Sequence, residues 1–97
     1  MYGTIARIHP KRGQEKALVA LMDEWYRVRK PKVKGSVAGY LFRPDKKGSG
    51  LLLVAVFKDE KSYRANAGDP EQDAWYRRLR KLLKADPEWE DGEYVLS

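Results

Sequence analysis

The chain has 97 residues, 42% of them apolar and eleven of them aromatic, enough to bury one core and too short to build a second. Twenty Lys and Arg stand against 14 Asp and Glu, a net charge of +6 that raises nucleic acid as a partner through its phosphates. The absence of cysteine and the single histidine, His9, exclude disulfides, thiolate metal sites, Cys nucleophiles and multi-histidine metal centres.

Tyr2 to Ile8 mixes β-branched and small residues and reads as a strand ended by Pro10 and Gly13. From Gln14 to Lys30 the residues Ala17, Leu18, Leu21, Met22, Trp25 and Val28 recur at three- and four-residue steps, which predicts an amphipathic helix stopped by Pro31. Val33 to Phe42 reads as a second strand, with Gly35 and Gly39 suiting one that bends or lies at an edge. The turn cluster Pro44, Asp45, Gly48 and Gly50 joins it as a hairpin to Leu51 to Phe57, the driest segment of the chain.

Asp59 caps a short helix running through Asn66. Gly68 interrupts it, and Asp69-Pro70 restarts a second helix with a cap followed by proline at the first helical position. That second part presents Trp75, Leu79, Leu82 and Leu83 on one face. A last strand is expected over Glu90 to Leu96, after an Asp91-Gly92 turn.

The positive charge is uneven: residues 10–34 carry eight basic and three acidic groups, residues 59–97 seven basic and ten acidic. Arg77, Arg78, Arg80, Lys81 and Lys84 oppose the negative end of a helix dipole, and Asp69, Glu71 and Asp73 suit its positive end. These groups read as solvated faces, and no aromatic-and-basic motif of the RNA-binding type accompanies them, so a nucleic-acid partner is the weakest of three functional readings. With neither a signal-like N-terminus nor an apolar run of membrane-spanning length, a cytoplasmic protein without membrane association is expected.

The order β-α-β-β-α-β is that of a ferredoxin-like α+β sandwich, a four-stranded antiparallel sheet with both helices on one face and the first and third strands central. Leu51, Leu53, Ala55 and Phe57 then point one way and Leu52, Val54 and Val56 the other. Helices cover one face only. A second copy of the chain is the expected cover for the other, giving a homodimer with two sheets packed into a barrel-like core.

Phe57-Lys58-Asp59-Glu60, followed by Asn66, Asp69-Pro70, Gln72 and Trp75, resembles the antibiotic biosynthesis monooxygenase family of dimeric α+β barrel proteins. The shared pattern is a strand-ending aromatic, a polar residue often His, a helix start with proline, a second polar residue often His, and an aromatic. Asn66 and Gln72 stand where that family often has histidine. The resemblance implies one domain over residues 1–97 with a pocket between helices and sheet. It also implies oxygenation of small aromatic or anionic organic molecules by dioxygen, without metal, flavin or haem. Haem degradation is not expected, because Arg77 to Lys84 include no histidine and the first strand offers Arg7 rather than Asn.

Arg7, a guanidinium in a central strand, needs an anion, a polar pocket or a carboxylate such as Glu90 or Glu93. As a catalytic group it would join Asn66 in stabilising enolate-like charge on the substrate. His9, Tyr40, Tyr63 and Trp75 are the expected substrate-binding residues. Each has a plain alternative: His9 as a surface residue at a strand end, Asn66 as a helix terminator, Trp75 as core. The alternative function is a homodimeric small-molecule-binding protein of the same fold without catalysis.

Overall fold

The computed structural model describes residues 1–96. In chain order the elements are β1 (Tyr2–Ile8), α1 (Glu15–Glu24), β2 (Ser36–Phe42), β3 (Leu51–Phe57), α2 (Glu60–Ala67), α3 (Pro70–Lys81) and β4 (Glu88–Glu93). The sheet order is β2-β3-β1-β4, antiparallel throughout, with β1 and β3 central. This is the ferredoxin-like α+β arrangement.

The dry segment Leu51 to Phe57 is a strand with the expected bounds, and the helix after it is divided as its caps dictate. The Asp59 carboxylate accepts from the Ser62 backbone N–H at 2.8 Å, and Asp69 accepts from the Glu71 N–H at 2.9 Å. Both satisfy donors that a helix start leaves without partners.

Three segments depart from the sequence reading. The first helix is α-helical only to Glu24; Trp25–Arg29 is a π turn and Lys30–Lys32 a 3₁₀ turn. Pro31 therefore sits inside a tightened turn and does not end an α-helix, because proline at a helix's first positions forfeits no hydrogen bond. The second strand starts at Ser36, three residues later than expected. The last strand runs Glu88–Glu93, with Asp91 and Gly92 paired opposite Thr4 and Gly3, so the expected turn is strand. Pairing with β1 overrides the local preference of Asp-Gly.

Ala6, Ile8, Leu51, Leu18, Leu21, Met22, Trp75, Leu79 and Leu83 form the core between the sheet and the helices, with Leu41 and Leu53 packed against it. The Lys11 N–H donates to the Leu82 carbonyl at 2.7 Å and the Lys84 N–H to the His9 carbonyl at 2.8 Å, tying the exit of α3 to the end of β1. Gly3 is dictated by sterics: a Cβ there would lie 1.8 Å from the Ala55 carbonyl oxygen. The Tyr94 ring lies over this gap, its hydroxyl donating to the Ala55 carbonyl at 2.9 Å.

Candidate functional site

Sheet parity decides which side chains meet the helices. Thr4 on β1, Leu53, Ala55 and Phe57 on β3, and Trp89 and Asp91 on β4 face the same side as the core. Between them and the helices lies an open cavity of about 530 Å³. Its walls are aromatic: Trp25 and Trp75 lie with ring centroids 6.3 Å apart, and Tyr76 and Trp89 6.1 Å apart. The volume suits a small organic molecule, and aromatic walls suit a flat one.

Polar groups enter from two sides. On the β4 side the Tyr63 hydroxyl, carried by α2, donates to the Asp91 carboxylate at 2.8 Å. Arg64 pairs with the other Asp91 oxygen at 3.1 Å, donates to the Tyr2 hydroxyl at 2.8 Å and lies over the Tyr2 and Tyr63 rings. Burial, then the bond to Asp91, pushes the Tyr63 phenol up to about 12. For Asp91 burial acts to raise the carboxyl, but bonds from Tyr63, Thr4 and Arg64 outweigh it and hold it below the usual range. At neutral pH the phenol keeps its proton and the carboxylate is ionised.

On the α1 side Asn66 and Gln72 line the cavity. The Asn66 Oδ1 accepts from Arg29 Nη2 at 2.9 Å, and the Gln72 Oε1 accepts from Trp25 Nε1 at 2.9 Å. The π turn carries both donors. Tyr26, on the same turn, reaches the edge strand where Gly39 leaves room: a Cβ there would be 2.8 Å from the hydroxyl oxygen. Burial raises the Tyr26 phenol above its ordinary value, against a lowering by the Gly39 backbone N–H.

Of the expected site residues, Asn66, Tyr63 and Trp75 meet at the cavity. Trp75 is also core, its Nε1 3.5 Å from the Leu21 carbonyl oxygen. Tyr40 borders the cavity from the edge strand but stays 63% exposed, opposite Val54 on the other face.

Arg7 and His9 are elsewhere. Arg7 pairs in register with Leu52, on the sheet face away from the helices, and its guanidinium donates to the Ser49 carbonyl. That backbone oxygen satisfies the charge in place of Glu90 or Glu93, so the expected role beside Asn66 has no geometric support. His9 borders a separate basic hollow near Lys11, Arg12 and Lys84, with Nε2 3.6 Å from Glu88. Strand alternation gave Arg7 its parity but not which parity lies under the helices.

Sequence reasoning missed Arg64, Asp91, Trp25, Tyr26 and Arg29. The available signal was the pairing of β4 with β1, which places Asp91 opposite Thr4 and beneath α2. Among the described residues no group of His, Asp and Glu is placed to hold a metal ion.

Solved structures share this architecture. A Caulobacter crescentus protein matches with TM-score 0.84 at 12% identity, over 98% of this chain and 90% of that one. A Nitrosomonas europaea protein gives 0.81 at 12%, over 99% and 100%. One from Chloroflexus aurantiacus gives 0.77 at 21%, over 99% and 94%. All three are described, provisionally, as antibiotic biosynthesis monooxygenases. This chain has their fold. No family model matches the sequence, and no curated protein matches it. The segment from Phe57 to Trp75 closes the cavity with α2 and the start of α3. No helix among the described residues is long and apolar enough to cross a membrane.

Proposed function

We propose that the chain is a homodimeric, cofactor-independent monooxygenase of the antibiotic biosynthesis type acting on a flat hydroxylated aromatic molecule. The aromatic-walled cavity, with Tyr63 and Asp91 on one side and Asn66 and Gln72 on the other, carries this reading. Asp91 is held low and is a weak base, which restricts the substrate to one that loses a proton readily, such as a polycyclic ketone with an activated CH₂ group. The carbanion formed by loss of that proton gives one electron to dioxygen, and the two radicals join as a peroxide. Loss of water then leaves a carbonyl: R₂CH₂ + O₂ gives R₂C=O + H₂O. Trp25 and Trp75 hold the ring system, and Asn66 stabilises the oxyanion.

The dimer is part of the same proposal. On the face away from the helices Ile5 is 43%, Tyr40 63% and Phe42 55% exposed around Val54 and Leu52. Full burial of an exposed large apolar side chain is worth roughly 1.5 to 3 kcal/mol, so covering these half-exposed ones gains about half of that each, and a second copy is a cover of matching chemistry.

Oxygen uptake with anthrone, read against an enzyme-free blank, tests the reaction. Uptake above the blank that falls at least tenfold in Asn66→Ala and in Asp91→Asn supports it. One observation favours the alternative of a binding protein: no imidazole lines the cavity, His9 standing in the other hollow. Anthrone that binds while oxygen uptake stays at the blank establishes that alternative.

A further inference from the structure

Asn66 and Gln72 reach the cavity with their amides already oriented by partners that can only donate. Guanidinium and indole N–H groups have no acceptor atom, so each must meet an amide oxygen. Arg29 Nη2 lies 2.9 Å from Asn66 Oδ1 and 3.5 Å from Gln72 Oε1, and Trp25 Nε1 lies 2.9 Å from Gln72 Oε1. Each oxygen thereby faces a donor, which fixes the orientation of its amide. The NH₂ groups of Asn66 and Gln72 have no partner among the described residues and are not enclosed. They are the donors these two residues offer the cavity.

Arg29 itself is not a surface charge. Its side chain is 11% exposed, its Nε is buried without a partner among the described residues, and Nη1 pairs with Glu71 at 2.8 Å while Asp69 lies 3.8 Å from Nη2. Two carboxylates beside one guanidinium leave no net positive charge here to attract an anion from a distance. What Arg29 supplies is direction: a planar fork that fixes which way the neighbouring amides face.

We infer that Arg29 is a positioning residue that turns Asn66 and Gln72 into a pair of hydrogen-bond donors, so that this side of the cavity selects ligands presenting an acceptor oxygen, a ring carbonyl or the oxyanion derived from it. The inference rests on the cavity being the binding site. It restricts the ligand: a hydroxyl or amine that must donate is met across the cavity by the Asp91 carboxylate, whereas a carbonyl is met at Asn66 and Gln72. A flat molecule with a carbonyl at one edge and a hydroxyl at the other therefore has one preferred orientation.

Two neutral probes of the same shape test this: 9-fluorenone, which carries a carbonyl, and fluorene, which does not, with affinities measured by equilibrium dialysis. The wild-type protein should bind fluorenone about tenfold more tightly, the worth of one retained hydrogen bond. Asn66→Asp and Gln72→Glu keep an oxygen for Arg29 and Trp25 but replace the NH₂ group with an acceptor. Each should bring the ratio to about 1 or below while leaving fluorene binding unchanged. Arg29→Met should lower the ratio with fluorene affinity preserved, which a merely structural loss would not do. Near-ultraviolet circular dichroism confirms the fold of each variant. Equal affinities for the two probes in the wild type, or a tenfold ratio that survives in both carboxylate variants, overturns the inference and leaves the cavity as a site for flat aromatics. Failure of both probes to bind overturns that underlying reading, and the inference with it.

Discussion

The two faces of the sheet use the same strands for opposite ends. Under the helices Ile8, Leu51 and Leu79 are sealed, yet the same face opens toward α2 into a cavity with ionised and hydrogen-bonding groups. On the far face Ile5, Tyr40 and Phe42 stand exposed around Leu52 and Val54, with Arg7, Glu88 and Glu90 toward the β4 side. Polarity is thus found inside, where the Asp91 carboxylate, the Tyr63 hydroxyl and the amide oxygens of Asn66 and Gln72 have partners, and bare apolar surface outside. That inversion separates two properties on one sheet: paired polar atoms fix the orientation of the groups inside, and uncovered apolar atoms outside make the proposed assembly surface.

Substitutions on each face should break different properties. Leu79→Ala, at a fully buried position, should cost about 3 kcal/mol in urea denaturation through lost transfer energy and the cavity left behind. Ile5→Glu on the far face should halve the mass seen in sedimentation, with affinity for flat aromatics in the cavity retained; an unchanged mass would remove the assembly reading. Asp59→Ala, which touches neither face and removes only the cap on α2, should cost about 1 kcal/mol.

The smallest effects are in pH. Asp91 is depressed in the folded chain, so its stabilising contribution is present above the unfolded value near 3.9 and is lost as pH falls through the lower folded value. The wild-type advantage over Asp91→Asn should therefore fade on acidification below about pH 4. Tyr63 runs the other way: its contribution is full below pH 10 and is lost as pH rises toward about 12. Tyr63→Phe should close the gap to wild type in that alkaline window, followed by thermal melting.

Much of this contrast was legible in the sequence. The uninterrupted run from Leu51 to Phe57 requires cover on both sides wherever it sits in a sheet, and Asp59 with Asp69-Pro70 marks two helix starts by local chemistry alone. The misplaced features depend on distant partners. Glu88–Glu93 has no apolar alternation and is a strand because β1 supplies its ladder. Arg7 follows the parity of its strand, but only the packed helices determine which parity encloses a cavity. Arg29 is separated from Asn66 by 37 residues and from Gln72 by 43, so no local pattern joins them.

The wide turn at Trp25–Arg29 has a consequence for how the wall of the cavity could be rewired. Its closing bond runs from the Lys30 N–H to the Trp25 carbonyl, one residue farther back than an α-helix reaches. The turn thus absorbs one residue more than ordinary winding holds, and a further single-residue insertion ahead of it that was not absorbed in the same way would rotate each position beyond by about 100° around the axis. The guanidinium would swing away from the two amides with no change in residue types at the pocket, so ligand preference could shift through a change in chain length alone.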